Sequence, residues 1–154
     1  LFREQAHAPK INKNAVIDND LTISEINQIK KGASHIRTGE ATLPATALCL
    51  PPSPLRSYAY VTDTKPSPAY KMMISEVDLL YHESTFADDQ AARADETFHS
   101  TARQAGVIAR ECAVKKLIIG HFSTRYHILD TLLKEAREEF PNTHLALEGE
   151  TFPI

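Results

Sequence analysis

The sequence predicts an α/β fold in which strands alternate with helices, and three observations support this. From about position 56 onward, short apolar runs alternate with amphipathic segments, as in layered α/β domains. The run Leu117-Ile118-Ile119 is apolar at every position, which is typical of a strand buried on both faces. The chain has 154 residues, of which 42% are hydrophobic, enough to build a core. We therefore expect one α/β domain or a large part of one.

The predicted elements follow in chain order. Strands are predicted at 56–61, 77–81, 114–119, 143–147 and 151–154, and helices at 69–77, 101–112 and 128–140. Ser100 or Thr101 is the expected N-cap of the second of these helices. Before them, periodicity is weak except for a short helix of about two turns beginning near Thr22 or Ser24. Three prolines at 51, 52 and 54 separate two predicted regions, 1–54 and 55–154.

Charge and cysteine content exclude several classes of protein. There are 17 basic and 20 acidic residues, so nucleic acid is not bound through a bulk basic excess, and any RNA contact must be local. Cys49 and Cys112 have no C-x-x-C spacing, which favours two reduced thiols over a disulfide or a thiolate zinc site. No apolar run approaches the ~20 residues of a membrane span. We expect a soluble, cytoplasmic protein that does not bind membranes.

Two residues that follow predicted strands carry side chains suited to metal binding. A carboxylate such as Asp63 can bridge two cations, although an aspartate in a turn also commonly binds its own backbone. His121 follows the most apolar strand, and an imidazole is a good zinc ligand. A single histidine after a strand is also commonly a structural residue. The residues alone leave both alternatives open.

Four segments together resemble the ribonuclease Z family, the tRNA 3′-end endonucleases of the metallo-β-lactamase fold. They are Tyr60-Val61-Thr62-Asp63-Thr64, Tyr81-His82-Glu83-Ser84-Thr85-Phe86, Phe98-His99-Ser100-Thr101 and Gly120-His121-Phe122-Ser123-Thr124-Arg125-Tyr126. The resemblance covers the whole chain but places it on the C-terminal half of the family's domain. It therefore implies half of an αββα sandwich, preceded by a partly irregular arm.

The resemblance also implies roles for individual residues. Asp63 and His121 are expected metal ligands, in a site that holds two zinc ions in the intact protein. His99 is expected to protonate the leaving 3′ oxygen, and Glu83 to hold and polarise His99. The remaining candidates support the site or bind substrate: His82 is a supporting residue, and Ser123 and Arg125 are expected to bind a phosphate of the RNA. For Arg125 a structural salt bridge is the alternative, and for His99 a role as a helix N-terminal residue.

Region 1–54 resembles the arm with which bacterial members of the family grip the elbow of tRNA. Ile29-Lys30-Lys31-Gly32 matches the end of that arm, but the expected Gly-Pro pair is replaced by Leu21-Thr22-Ile23-Ser24-Glu25. A simple linker is the alternative reading. No H-x-H-x-D-H run, which supplies most metal ligands in this fold, occurs in the sequence.

The sequence therefore predicts that the parent protein is a zinc-dependent endoribonuclease that removes the 3′ trailer from precursor tRNA. Since the chain offers too few ligands for a catalytic zinc, it is expected to be inactive alone. Half of a layered sheet leaves an apolar face uncovered, so a homodimer is also expected. The alternatives are another phosphodiesterase of the metallo-β-lactamase fold and a non-catalytic RNA-binding or assembly module.

Overall fold

The computed structural model describes residues 1–38 and 41–154, and these form two compact units. One unit comprises Leu1–Glu4 and Arg56–Ile154, and the other comprises Gln5–Leu55. In chain order the elements are β1 (Phe2–Arg3), α1 (Lys13–Asp18), α2 (Ile23–Lys30), β2 (His35–Thr38), β3 (Ala41–Pro44), β4 (Ser57–Val61), α3 (Pro68–Lys71), β5 (Leu79–Glu83), α4 (Ala91–Glu96), α5 (Ala102–Glu111), β6 (Lys116–Gly120), α6 (Asp130–Glu139) and β7 (Thr143–Leu145).

The larger unit is built on a five-stranded sheet with the order β1-β4-β5-β6-β7. Strands β4 to β7 are parallel to one another, and β1 pairs with β4 in the antiparallel direction at the edge of the sheet. The register places Val61 opposite His82 and Glu83 opposite Gly120. The carboxyl ends of β4, β5 and β6 therefore lie side by side, which is where open α/β sheets bind ligands.

Helices α5 and α6 pack against each other and against one face of the sheet. Helix α5 begins with a capping box, in which Thr101 and Gln104 each bind the other's backbone N–H. Its Gly106 faces α6 so closely that an added Cβ would lie 2.5 Å from the carbonyl oxygen of Ala136. The largest buried side chains of this core are Leu80, Ile108, Leu117, Ile119 and Leu132.

The opposite face of the sheet is aromatic. Phe2 stacks on Tyr58 and Tyr60 stacks on Tyr81, with ring centroids 6.0 and 4.5 Å apart. The Tyr81 ring lies over Gly120, where any Cβ would be 2.3 Å from its hydroxyl oxygen. Burial raises the pKa of Tyr81 to about 12. Phe2 and Tyr60 nevertheless stay 66% and 52% exposed, so the edge of this face is open to solvent.

The smaller unit has a hydrophobic core of its own. Helices α1 and α2 and the antiparallel pair β2–β3 surround Leu21, Ile29, Ile36 and Leu48. Thr22 caps α2, and its capping box with Glu25 confirms the helix predicted at this point. The sequence did not predict the strand pair, because its short polar strands lack a clear period-two pattern.

Most predicted elements of the larger unit are present within two or three residues of their predicted bounds, with two exceptions. The helix predicted at 69–77 is only one turn long, Pro68–Lys71, and the backbone N–H of Glu76 bonds to the carbonyl of Cys112, 2.8 Å away, instead of continuing it. The strand predicted at 151–154 is wrong, since the structure has no strand there. Pro153 has no N–H to donate to a neighbouring strand.

Candidate metal and catalytic site

The four principal predicted site residues meet at the carboxyl edge of the sheet. Glu83 ends β5, Asp63 and His121 follow β4 and β6, and His99 lies just before α5. Asp63 and His121 have left-handed backbones with φ of 51° and 58°. Such backbones are uncommon outside glycine and concentrate at functional sites. Both left-handed positions thus follow the ends of strands, at the point where the two side chains meet.

Asp63, His99 and His121 form a cluster of possible metal ligands. Each offers one ligand atom, and the three atoms all lie within 4.8 Å of one another. Within this cluster His121 Nε2 lies 3.2 Å from Asp63 Oδ1. Nitrogen and carboxylate oxygen are ligands that zinc accepts, and three protein ligands are the usual number at a catalytic zinc.

Thr85 determines which nitrogen of His121 faces Asp63. The Thr85 hydroxyl lies 2.6 Å from Glu83 Oε2, an acceptor, and so directs its only proton there. It must then accept a hydrogen bond from His121 Nδ1, which lies 2.9 Å away. In the neutral ring, Nε2 of His121 then carries a lone pair that faces an oxygen of Asp63. Two lone pairs at this distance repel each other unless a cation or a proton lies between them.

Glu83 is a fully buried carboxylate that is held by five hydrogen bonds. It accepts from the backbone N–H groups of Thr64 at 2.7 Å, Ser100 at 3.1 Å and Thr85 at 3.4 Å, from the Thr85 hydroxyl, and from His99 Nδ1 at 2.9 Å. Burial alone would raise the pKa of Glu83, but these hydrogen bonds outweigh it and lower that pKa. Glu83 is therefore ionised at neutral pH and orients the His99 ring through Nδ1, which leaves Nε2 of His99 available.

Arg125 lies on the same side of the site as His99. The guanidinium is exposed and lies over the ring of Phe86, which forms a T-shaped pair with the ring of His99. Its hydrogen bonds go to the uncharged groups Ser123 Oγ, at 3.2 Å, and Gln90 Oε1, at 3.3 Å. Among the residues that the structure describes, Arg125 forms no salt bridge. Its role as a ligand of phosphate stays a prediction.

His82 points away from the cluster and into the core. Its Nδ1 bonds to the carbonyl oxygen of Glu83 at 2.7 Å, and its Nε2 lies 2.9 Å from the hydroxyl oxygen of Tyr70. Burial lowers the pKa of His82 and raises that of Tyr70, so the neutral imidazole accepts from the Tyr70 hydroxyl. Both nitrogens are satisfied. His82 therefore supports the backbone of Glu83 rather than taking part in the cluster.

The chain is similar to known proteins along nearly its whole length. No family model matches the chain. It is 44% identical over 155 residues to ribonuclease Z of Cytophaga hutchinsonii, a match that covers all of this chain and 49% of that protein. It is 45% identical over 149 residues to ribonuclease Z of Bacteroides fragilis, covering 97% of this chain and 49% of that protein.

The predicted resemblance to ribonuclease Z is confirmed. The chain spans about half the length of the ribonuclease Z relatives that it matches. Among solved structures, it is similar to YhfI of Bacillus subtilis, a protein of the metallo-β-lactamase fold. That match has a TM-score of 0.55 and 24% identity, and covers 75% of this chain and 41% of YhfI. The predicted α/β class and metallo-β-lactamase fold are therefore also confirmed.

Several residues of the site had no predicted role. Thr85 is part of the motif that resembles ribonuclease Z, and the hydroxyl in that motif was the available signal. Tyr70 lies twelve residues before its partner His82, and the backbone N–H of Thr64 nineteen before Glu83. No local sequence pattern indicates these two contacts, because both depend on how the strands pair.

Proposed function

We propose that the full-length protein to which this chain belongs is a zinc-dependent endoribonuclease that removes the 3′ trailer from precursor tRNA. The similarity to ribonuclease Z along the whole chain supports this proposal. The observation that carries it is the Glu83–His99 pair, whose carboxylate oxygen and ring nitrogen lie 2.9 Å apart beside the ligand cluster. A fixed general acid next to a metal site is an arrangement that can catalyse phosphodiester hydrolysis.

Asp63 and His121 hold metal in this proposal, and two zinc ions complete the site in the intact protein. When bound, the metal acts as a Lewis acid that activates water and offsets negative charge on the phosphate. The facing lone pairs of His121 Nε2 and Asp63 Oδ1 supply donors for a cation. The fold implies a metal cofactor. Its identity as zinc is inferred from the nitrogen and oxygen donors.

His99 transfers the proton to the leaving 3′ oxygen. Its Nδ1–H is held by ionised Glu83, which fixes the tautomer and the orientation of the ring. The same ring is 22% exposed, so its other nitrogen is accessible to a substrate. The cluster geometry also permits His99 to act as a third metal ligand, with Glu83 as the carboxylate that orients it. Loss of a proton donor slows cleavage but keeps the metal, whereas loss of a ligand removes the metal, so experiment can separate the two roles.

Ser123 and Arg125 bind a phosphate of the RNA near the scissile bond. The backbone N–H of Ser123 is tied to the carbonyl of Thr85 at 3.1 Å, which fixes this loop to the site. The guanidinium has a planar fork of donors that matches phosphate oxygens. His82 supports the site through the core, as described above.

Further parts of the proposal concern partners and surroundings. We infer a cytoplasmic homodimer that acts on precursor tRNA, with region 1–54 as an arm that contacts the substrate away from the site. The aromatic sheet face, on which Phe2 and Tyr60 are exposed, supports self-association of the 154-residue chain on its own, since large exposed apolar faces usually mark contact surfaces. Among the described residues, no helix is long and apolar enough to span a membrane.

The test is cleavage of a precursor tRNA by the purified full-length protein, with a simple phosphodiester such as bis(p-nitrophenyl) phosphate as the comparison. We expect a single cut at the 3′ end of the acceptor stem, loss of cutting with a chelator, and recovery with zinc. Hydrolysis of the small diester without cutting of tRNA would instead identify a general phosphodiesterase. Binding of tRNA with neither reaction would identify a non-catalytic RNA-binding module. The 154-residue chain alone should cleave neither substrate.

A further inference from the structure

An exposed aromatic residue with a left-handed backbone lies directly before His99. Phe98 is 65% exposed and has φ of 60°. Six residues other than glycine have positive φ in the described part of the chain, and three of them, Asp63, Phe98 and His121, belong to the site segments. A left-handed backbone is a genuine outlier for a bulky side chain and directs attention to function.

The backbone around Phe98 is a Schellman motif, the common C-terminal cap of a helix. The N–H of His99 bonds to the carbonyl of Ala94 at 2.8 Å, and the N–H of Phe98 bonds to that of Asp95 at 3.3 Å. The residue in the left-handed position is usually glycine, because a Cβ there is disfavoured. Phenylalanine is therefore a costly choice for this position, and its ring is not buried in compensation.

A cation lies over one face of the exposed ring. Lys65 Nζ is 5.1 Å from the centroid of Phe98 and 2.8 Å from Asp95 Oδ1. The Lys65 side chain is itself 42% exposed. Lys65 follows Asp63, the proposed metal ligand, by two residues. Phe98 directly precedes His99, the proposed acid. Lys65 and Phe98 therefore lie in the same two segments as these site residues.

We propose that Phe98 and Lys65 form a binding site for one unpaired nucleotide of the RNA next to the scissile phosphate, with the base stacked on Phe98. Lys65 contacts the phosphate of that nucleotide, exchanging its exposed pair with Asp95. Aromatic rings beside basic groups are the usual means of holding single-stranded RNA, because every base has a π-face. This inference rests on the proposed function, and it adds a contact that fixes the RNA strand relative to His99.

The chain offers a matched control in Ala113. This residue is exposed, has φ of 51° and occupies the same position of a second Schellman motif, at the end of α5. There the N–H of Val114 bonds to the carbonyl of Ala109, and that of Ala113 to the carbonyl of Arg110, both at 3.1 Å. Replacement by glycine relieves the same backbone conformation at both positions, but only one of them carries a ring beside the site.

The experiment measures three properties of the full-length protein: KM and kcat for precursor tRNA, the affinity for a fluorescent single-stranded RNA of about eight nucleotides, and the free energy of unfolding. For Phe98→Gly we expect KM and the RNA Kd to rise about 5- to 100-fold while stability stays equal or increases. In Ala113→Gly, stability should likewise stay equal or increase, while KM and Kd stay unchanged. Phe98→Tyr should bind like the wild type, and Phe98→Leu should bind as weakly as Phe98→Gly.

Two binding results would overturn the proposal: wild-type RNA affinity in Phe98→Leu, or a loss of affinity in Ala113→Gly equal to that in Phe98→Gly.

Lys65→Ala should weaken binding and reduce its salt dependence, whereas Lys71→Ala, which breaks a similar pair with Glu111, should do neither. Because RNA binding is measured apart from cleavage, a protein that binds RNA through Phe98 but cuts no tRNA would contradict only the proposed function. Normal cleavage by Phe98→Leu would contradict only this inference.

Discussion

The hydroxyl oxygen of Thr85 lies 2.9 Å from Nδ1 of His121 and connects the expected metal ligand to buried Glu83. A single threonine thus determines the tautomer of His121 and supports the carboxylate that orients His99. The ligand cluster and the acid pair are therefore one hydrogen-bonded network. A change at Thr85, which bonds to both parts, should therefore affect both.

Replacing Thr85 by Val should weaken metal binding, because the valine cannot accept the hydrogen bond that leaves Nε2 of His121 unprotonated. Loss of such supporting partners typically costs about 10- to 100-fold in metal affinity. Calorimetric titration of the metal-free full-length protein with zinc measures this change. Thr85→Ser keeps the hydroxyl and should bind zinc like the wild type. Equal affinity in the Val and Ser variants would show that Thr85 only fills space.

A second prediction concerns Asp78, which binds Ser57 at the start of β4 and Lys115 just before β6. Its carboxylate lies 2.6 Å from Lys115 Nζ and accepts hydrogen bonds from the backbone N–H and the hydroxyl of Ser57, at 2.7 Å each. These contacts lower the pKa of Asp78 from 3.8 to about 2. Since the folded pKa lies below the unfolded one, this stabilisation is complete above about pH 4 and is lost as the pH falls towards 2.

The measurement is urea unfolding of the wild type and of Asp78→Asn near neutral pH and at about pH 3. Between these pH values, the wild type should lose about 1 kcal/mol more stability than the variant. Glu148→Gln, a change at an exposed carboxylate, serves as the control and should follow the wild type. Equal losses of stability in the wild type and in Asp78→Asn would show that these hydrogen bonds do not cause the pH dependence.

A third prediction concerns the contact between α5 and α6. In Gly106→Ala the new Cβ would meet the carbonyl oxygen of Ala136, a backbone atom that cannot move without shifting α6. Overpacking of this kind costs about 1–3 kcal/mol, against a gain of about 1 kcal/mol in helix propensity. We expect a net loss of stability in urea unfolding. A more stable variant would show that the two helices can separate at little cost.

Much of this arrangement follows from local sequence. The capping residue Thr101 and the apolar run of β6 predicted α5 and its neighbouring strand, because both patterns are complete within a few residues. The meeting of Asp63, Glu83 and His121 was predictable because the carboxyl ends of adjacent parallel strands share one edge.

The remaining features depend on contacts between distant residues. The fixing of the His121 tautomer by Thr85 joins residues 36 positions apart. The left-handed backbone of Phe98 is imposed by helix capping on a residue type that does not favour it. Neither carries a periodic signal, and so neither could be predicted from the sequence alone.

The aromatic sheet face leads to a prediction about the 154-residue chain on its own. With Phe2 and Tyr60 more than half exposed, this chain should self-associate at micromolar concentration. Tyr60→Lys should shift it towards monomer, and Met72→Lys, a change at an exposed residue elsewhere, should not. Sedimentation velocity measures both. A stable monomer of the unsubstituted chain would contradict the proposed role of this face.

The most direct test of the proposed function compares His99→Ala and Asp63→Ala in the full-length protein, measuring zinc content and single-turnover cleavage of precursor tRNA together. His99→Ala should keep its zinc and its tRNA affinity but cleave ~100-fold or more slowly, the usual effect of removing a positioned general acid. Asp63→Ala should lose metal. Glu83→Gln should fall between these two variants, because it keeps the shape of the side chain but removes the charge that holds the His99 ring. Cleavage by His99→Ala at the wild-type rate, or loss of zinc equal to that in Asp63→Ala, would contradict the role of His99 as the acid.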